Sequence, residues 1–95
     1  MDKQQIIDII TDYLRRNRAR EIGFFGSFAR NEMTPSSDID VLVKYERGTT
    51  LFDIARMQLD LQEKTGRKID LVDKEALLPG IMEHISKDLF VAYNA

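Results

Sequence analysis

Gly26-Ser27-Phe28-Ala29-Arg30-Asn31-Glu32-Met33-Thr34-Pro35-Ser36-Ser37-Asp38-Ile39-Asp40 sets a small-residue turn, a short polar connection and two aspartates one residue apart at the head of an apolar run. Metal-assisted transfer of a phosphate-bearing group needs that layout. Gly26 lets backbone approach a phosphate with no side chain in the way. Ser27 is expected to cap the helix that follows, its hydroxyl and the neighbouring N–H groups facing an anion. Asp38 and Asp40 supply the carboxylates for a cation.

In a β-strand residues i and i+2 share a face while i+1 points to the other. Asp38 and Asp40 therefore share a face, and Ile39 is expected in the core. Val41-Leu42-Val43 follows, a β-branched run typical of a central strand. Two carboxylates at a strand mouth repel each other unless a cation sits between them. Hard oxygen ligands select Mg²⁺ or Mn²⁺, which bind one or two carboxylates together with substrate phosphates. Lys68-Ile69-Asp70-Leu71-Val72 is a further strand pattern. If it pairs beside the first, Asp70 faces the same cleft, where a third carboxylate can bridge a second ion and help an attacking hydroxyl lose its proton. Asp73 has the wrong parity, and an N-cap of the next helix is its plainer role. Clustered acids at a strand mouth do not stabilise a fold, so this joint pattern reads as catalytic.

Working outward, Ile6, Ile9, Ile10, Tyr13 and Leu14 recur at helical spacing and predict an amphipathic helix over 3–16. Residues 21–25 read as a strand running into the Gly26-Ser27 turn, and 28–32 as a brief helix that Thr34-Pro35 ends. Residues 39–45 form the next strand, which Gly48 breaks. Thr49 or Thr50 caps a helix to about Thr65, and Gly66 stops it. After the strand at 68–72, residues 77–87 read as a last helix, broken or started near Pro79-Gly80. Residues 89–93 add an edge strand or pack as a tail. The order αβαβαβα predicts an α/β (α+β) fold, a small mixed β-sheet with helices packed on one main side. Residues 1–95 are expected to be one domain.

On the helix at 51–64, Ile54, Met57 and Leu61 form one apolar stripe and Phe52, Ala55 and Leu59 a second. A helix lying on one sheet needs only one. Both stripes are accounted for if the broad face is core and helix contact. The sharper reading makes one of them, that with Met57, a partner or dimer surface. Arg15, Arg16, Arg18 and Arg20 complement the end of the first helix and solvate the surface. Arg30, on the turn after Ser27, reads either as a contact to phosphate or as a salt bridge to Glu32 or Asp38. His84 has no second ligand at metal spacing, and Ser36 and Ser37 shape the turn into the strand.

With 14 basic against 16 acidic residues the net charge is −2, which gives no support for a large phosphate-backbone interface, so direct nucleic-acid binding is not expected. The absence of cysteine excludes disulfides and thiolate metal sites. The N-terminal stretch is polar and no long apolar segment occurs, so neither a membrane span nor a signal peptide is expected, and the default location is cytoplasmic.

Gly26-Ser27, then Asp38-Ile39-Asp40, with Asp70 on a later strand, resembles the nucleotidyltransferase superfamily that includes DNA polymerase beta and kanamycin nucleotidyltransferase. The short chain is most similar to the minimal nucleotidyltransferases, the antitoxin half of HEPN/MNT toxin–antitoxin pairs. Members commonly read Gly-Ser-x-Ala-Arg-Gly; Asn31 stands in place of the last glycine, and asparagine tolerates left-handed backbone better than other side-chain-bearing residues. The resemblance implies a nucleotidyltransferase fold and transfer of AMP from ATP. Gly26, Ser27 and Arg30 would hold the nucleotide, and Asp38, Asp40 and Asp70 two Mg²⁺ ions. It implies as acceptor a tyrosine of a partner HEPN toxin. Two alternatives stay open: a binding-only antitoxin that masks its partner, and a small-molecule nucleotidyltransferase. The latter normally carries an extra helical domain for the acceptor pocket, for which 95 residues leave no room unless a dimer supplies it. Base preference, the number of nucleotides added and a homo-oligomeric state are likewise open.

Overall fold

Ile39, Val41, Val43 and Tyr45 are all buried, and Asp40 and Lys44 between them are half-exposed, so strand β2 (Ile39–Tyr45) presents one apolar face to the core. The computed structural model describes every residue from Met1 to Ala95 and builds outward from that strand. β1 (Ala19–Phe25) runs antiparallel along one side of β2, and β3 (Ile69–Asp73) parallel along the other. β4 (Phe90–Asn94) pairs antiparallel with β1, which gives a mixed sheet in the order β3-β2-β1-β4.

Helices α1 (Lys3–Arg16) and α3 (Leu51–Thr65) cover the apolar face. Ile6, Ile10 and Leu14 from α1, and Met57 and Leu61 from α3, enter one core with Ile22, Phe24, Ile39, Val41, Val43, Ile69 and Leu71. Both helices open on capping boxes, Asp2 with Gln5 and Thr50 with Asp53, which satisfy N–H groups that the helix cannot pair internally. Gly66 closes α3 at φ 68°, a left-handed position that suits glycine. Tyr13 ties the two helices together through a 2.5 Å hydrogen bond from its hydroxyl to Asp60, and burial followed by that carboxylate pushes the phenol up to about 12. No helix is long and apolar enough to cross a membrane.

Four expectations need correction. The short helix α2 spans Gly26–Ala29, not 28–32, and its N-cap is Phe25, without a side-chain capping bond. Ser27 thus lies inside the first turn instead of capping it, because Gly26 at φ 70° turns the chain from strand directly into helix and leaves no place for a capping side chain. Asn31 at φ 60°, not Thr34-Pro35, ends α2. The last helix, α4, is only Ile81–Ile85: Pro79 lacks an N–H and Gly80 sits left-handed at φ 89°, so the chain before it forms a 3-10 turn at Lys74–Ala76 and then an extended stretch. Asp73 does cap that 3-10 turn, accepting from the Glu75 amide at 3.0 Å. Residues 90–94 take the edge-strand alternative.

The fourth correction concerns α3. Met57 and Leu61 are essentially fully buried, so the Met57 stripe is core and no partner surface. Leu51, Phe52 and Leu59 are the residues that face outward, at 82%, 89% and 64% exposed. Leu61→Ala should therefore cost about 2–5 kcal/mol in urea unfolding, whereas Phe52→Ser should shift stability by less than about 0.5 kcal/mol. Equal losses from the two would place the helix the other way round.

Candidate active site

Register places three residues side by side on the sheet face opposite α1 and α3. Phe25 at the end of β1 pairs with Asp40, and Asp40 pairs across the parallel ladder with Asp70. Directly paired residues point to the same side of a sheet, so the Asp40 and Asp70 carboxylates share that face. Asp38 lies just before β2 with the parity of Asp40, and it is exposed, as is Asp70. Asp40 is half-buried.

The turn after β1 closes over Asp40. A Cβ built on Gly26 would collide with the Asp40 carboxylate oxygen Oδ2 and lie 3.2 Å from its Cγ, so any side chain there would displace the carboxylate. The positive φ adds a second reason for glycine. Backbone hydrogen bonds from Arg30 to Gly26 at 3.1 Å and from Glu32 to Ser27 at 2.9 Å tighten the turn, which leaves Ser27 half-buried within it. Beyond it, Ser37 accepts from the Thr34 amide at 3.0 Å, and Arg67 reaches from the α3–β3 loop to the Thr34 carbonyl at 3.1 Å. The loop that delivers Asp38 is thus held from both sides.

Burial first, and then the negative charges of Asp70 and Asp38, push the Asp40 carboxyl up to about 6, with Arg30 partly opposing them. Asp40 therefore feels the charge of both other acids, although no three carboxylates gather at metal-ligating distance. Uncompensated carboxylates stay apart for the same reason that a cation would draw them together. All-oxygen donors under mutual repulsion fit a hard divalent cation.

Arg30 makes one of its expected ion pairs and one unexpected. Its Nε lies 2.9 Å from Glu32, and its Nη1 lies 2.7 Å from Asp88, not from Asp38. Asp88 is 58 residues away in sequence, just ahead of β4, and no local pattern marks it. Arg67 was likewise invisible in the sequence. His84 is exposed on α4, and Arg15 and Arg16 pair with Asp12 as surface residues. A cavity of about 150 Å³ at the opposite end of the sheet is lined by Arg16, Arg18, Arg56 and their neighbours and includes none of the three acids.

The raised Asp40 carboxyl has a definite consequence for stability. Between its ordinary 3.8 and about 6 the native state binds more protons than the unfolded chain, so this group's contribution to stability falls as pH rises through that window. Two pH units correspond to about 3 kcal/mol undiminished, and solvent screening of a half-exposed group reduces this to roughly 1 kcal/mol. Asp40→Asn should accordingly stabilise the metal-free protein by that amount at pH 7, with the gain fading by about pH 4 in urea titrations. A gain that persists unchanged at pH 4 would contradict the electrostatic origin.

Known proteins share this fold. The nucleotidyltransferase domain family matches residues 6–92. The protein adenylyltransferase MntA of Thermococcus cleftensis is 32% identical over 90 residues, spanning 90% of this chain and 91% of that one. The solved structure of a candidate minimal nucleotidyltransferase superposes with a TM-score of 0.83 at 32% identity and covers 95% of both chains. A chain from the complex of tri-AMPylated Shewanella oneidensis HEPN toxin with MNT antitoxin has the same fold, with a TM-score of 0.80 at 19% identity over 99% of this chain and 74% of that one. With 87 of its residues inside the matched span of 6–92, the chain belongs to the nucleotidyltransferase domain family.

Proposed function

We propose that this protein is a cytoplasmic, Mg²⁺-dependent protein adenylyltransferase, an antitoxin that transfers AMP from ATP to a tyrosine hydroxyl of a HEPN-family toxin and so silences it. The observation that carries this reading is the row formed by the Gly26 turn, Asp40 and Asp70 on the sheet face opposite α1 and α3. The adenylyltransferase relative and the fold shared with a chain of the AMPylated toxin complex support the acceptor class.

In this reading the backbone of Gly26 and Ser27 receives the β- and γ-phosphates, since nothing but hydrogen projects from the Gly26 α-carbon. Asp38 and Asp40 would hold two Mg²⁺ ions, with Asp70 sharing one, and the ions would supply charge neutralisation on the triphosphate and a more acidic acceptor hydroxyl. Asp70, the more exposed of the paired carboxylates, takes the acceptor proton. The freed oxygen forms a bond to the α-phosphorus as the bond to the bridging oxygen breaks, and pyrophosphate leaves with that electron pair. Arg30 turns its guanidinium to the triphosphate, whose charge competes with Glu32 and Asp88 for it.

A second reading, neutralisation by masking alone, is favoured by the outward apolar residues Leu51, Phe52 and Leu59 of α3. The two part company at Asp70. Asp70→Asn should still bind Mg·ATP, yet lose transfer by ~10²–10⁴-fold, because general-base assistance is worth that much. Intact-mass measurement of the toxin after incubation with ATP and Mg²⁺ should show added AMP with the wild type and almost none with the variant. In cells carrying the toxin the variant should fail to protect; full protection by a catalytically dead variant would sink the adenylylation mechanism and leave the fold untouched.

A further inference from the structure

Lys3 stands where local electrostatics disfavour it. It opens α1, at the end of the helix dipole that repels a cation; no residue within the first turn is acidic, and the carboxylate of the N-cap Asp2 is engaged by the Gln5 amide. Its ammonium is directed away from its own helix to the turn that follows Gly26. Nζ donates to the Asn31 side-chain oxygen at 2.7 Å and to the Ala29 carbonyl at 3.3 Å. It also lies 5.3 Å from the centre of the Phe28 ring and 5.7 Å from that of Phe90. Four contacts from two distant parts of the chain converge on one charged group, and together they offset the unfavourable position in α1.

The partners of Lys3 are the points where the turn is weakest. Ala29 is the last residue of α2, a helix of one turn whose carbonyls have few internal partners. Asn31 sits at φ 60°, a left-handed conformation that costs a side-chain-bearing residue about 1 kcal/mol. A charged hydrogen bond to its side chain offsets a cost of that size. Phe28 is buried in the core and Phe90 stacks on Phe24, so both rings hold fixed positions for the ammonium.

We propose that Lys3 is a positioning residue for the phosphate turn: its ammonium closes α2 at Ala29, pins Asn31 in the left-handed region, and thereby holds Gly26–Arg30 against Asp40. The inference rests on the reading of Gly26 and Ser27 as the phosphate contact, and it adds a residue outside every motif of the site. Lys3 acts through the turn and touches no reacting atom.

The test uses the full chain with Lys3→Met, which keeps an unbranched apolar stem, Lys3→Arg, Asn31→Gly, and the double variant Lys3→Met/Asn31→Gly. Two quantities are read: amide hydrogen exchange, and Mg·ATP affinity by calorimetry. Lys3→Met should speed exchange of the Arg30, Asn31 and Glu32 amides, which bond back into the turn, by about fivefold or more, while those of Ile22 and Val41 stay as they are. It should weaken Mg·ATP by about fivefold, in keeping with loss of one partly exposed charged hydrogen bond, and Lys3→Arg should recover most of both. Because glycine needs no pin at φ 60°, the effect of Lys3→Met should shrink by more than about twofold in the Asn31→Gly background. Unchanged exchange in the turn, acceleration spread evenly over the fold, strict additivity, or an unaltered Mg·ATP affinity would each overturn the proposal. A wild-type chain that binds no Mg·ATP would overturn the nucleotide reading instead, with turn exchange still deciding whether Lys3 holds the turn.

Discussion

The Asp40 carboxylate packed against the bare α-carbon of Gly26 is the contact on which the site depends. It exists because β1 and β2 pair with Phe25 opposite Asp40, so that the residue after β1 must pass directly over the carboxylate. Only a residue without Cβ fits there, and only one tolerant of positive φ can turn the chain into α2 at that point. The same pairing brings an N–H-rich turn and an acid together, which is how one short segment can address both a phosphate and its counterion.

That arrangement is held against its own electrostatics. Asp40 is pressed by burial and by Asp70 and Asp38, and Arg30 relieves only part of it while shared between Glu32 and Asp88. Stability is supplied on the other face, where the two capped helices bury Ile6, Ile10, Leu14, Met57 and Leu61 on the strands. The sheet thus has its main core on one side and the acids on the other, and the alternation of a β-strand lets Ile39 and Asp40 serve the two sides from adjacent positions.

The crossover from β3 to β4 follows a different logic. Its helix is short, its start is set by Gly80, and Leu78 and Ile81 remain 72% and 44% exposed. Two ion pairs tether its ends, Lys74 to Glu21 at 3.0 Å and Asp88 to Arg30 at 2.7 Å. Exposed pairs of this kind stabilise little by themselves, and Ile85 of α4 is buried between them. Asp88 thereby links the path of the crossover to the one arginine that faces the acids.

Sequence alone determined what depends on local period and local chemistry. The 3.6-residue spacing of Ile6, Ile10 and Leu14 set α1; the two-residue spacing around Ile39 set which residues of β2 face the core and put Asp38 and Asp40 on one parity; Thr50 and Gly66 bounded α3. Only the tertiary structure decided which stripe of α3 is core, because both have the same apolar character and the choice turns on which side meets the sheet. It likewise decided that Asp70 lies directly beside Asp40, that Arg30 holds Asp88, and that Lys3 reaches Asn31, since strand register and contacts between residues 28 to 58 positions apart arise from packing the whole chain. The helix start at Gly26 belongs to the same class: its backbone turns where the β1–β2 register places it, and no capping side chain announces it.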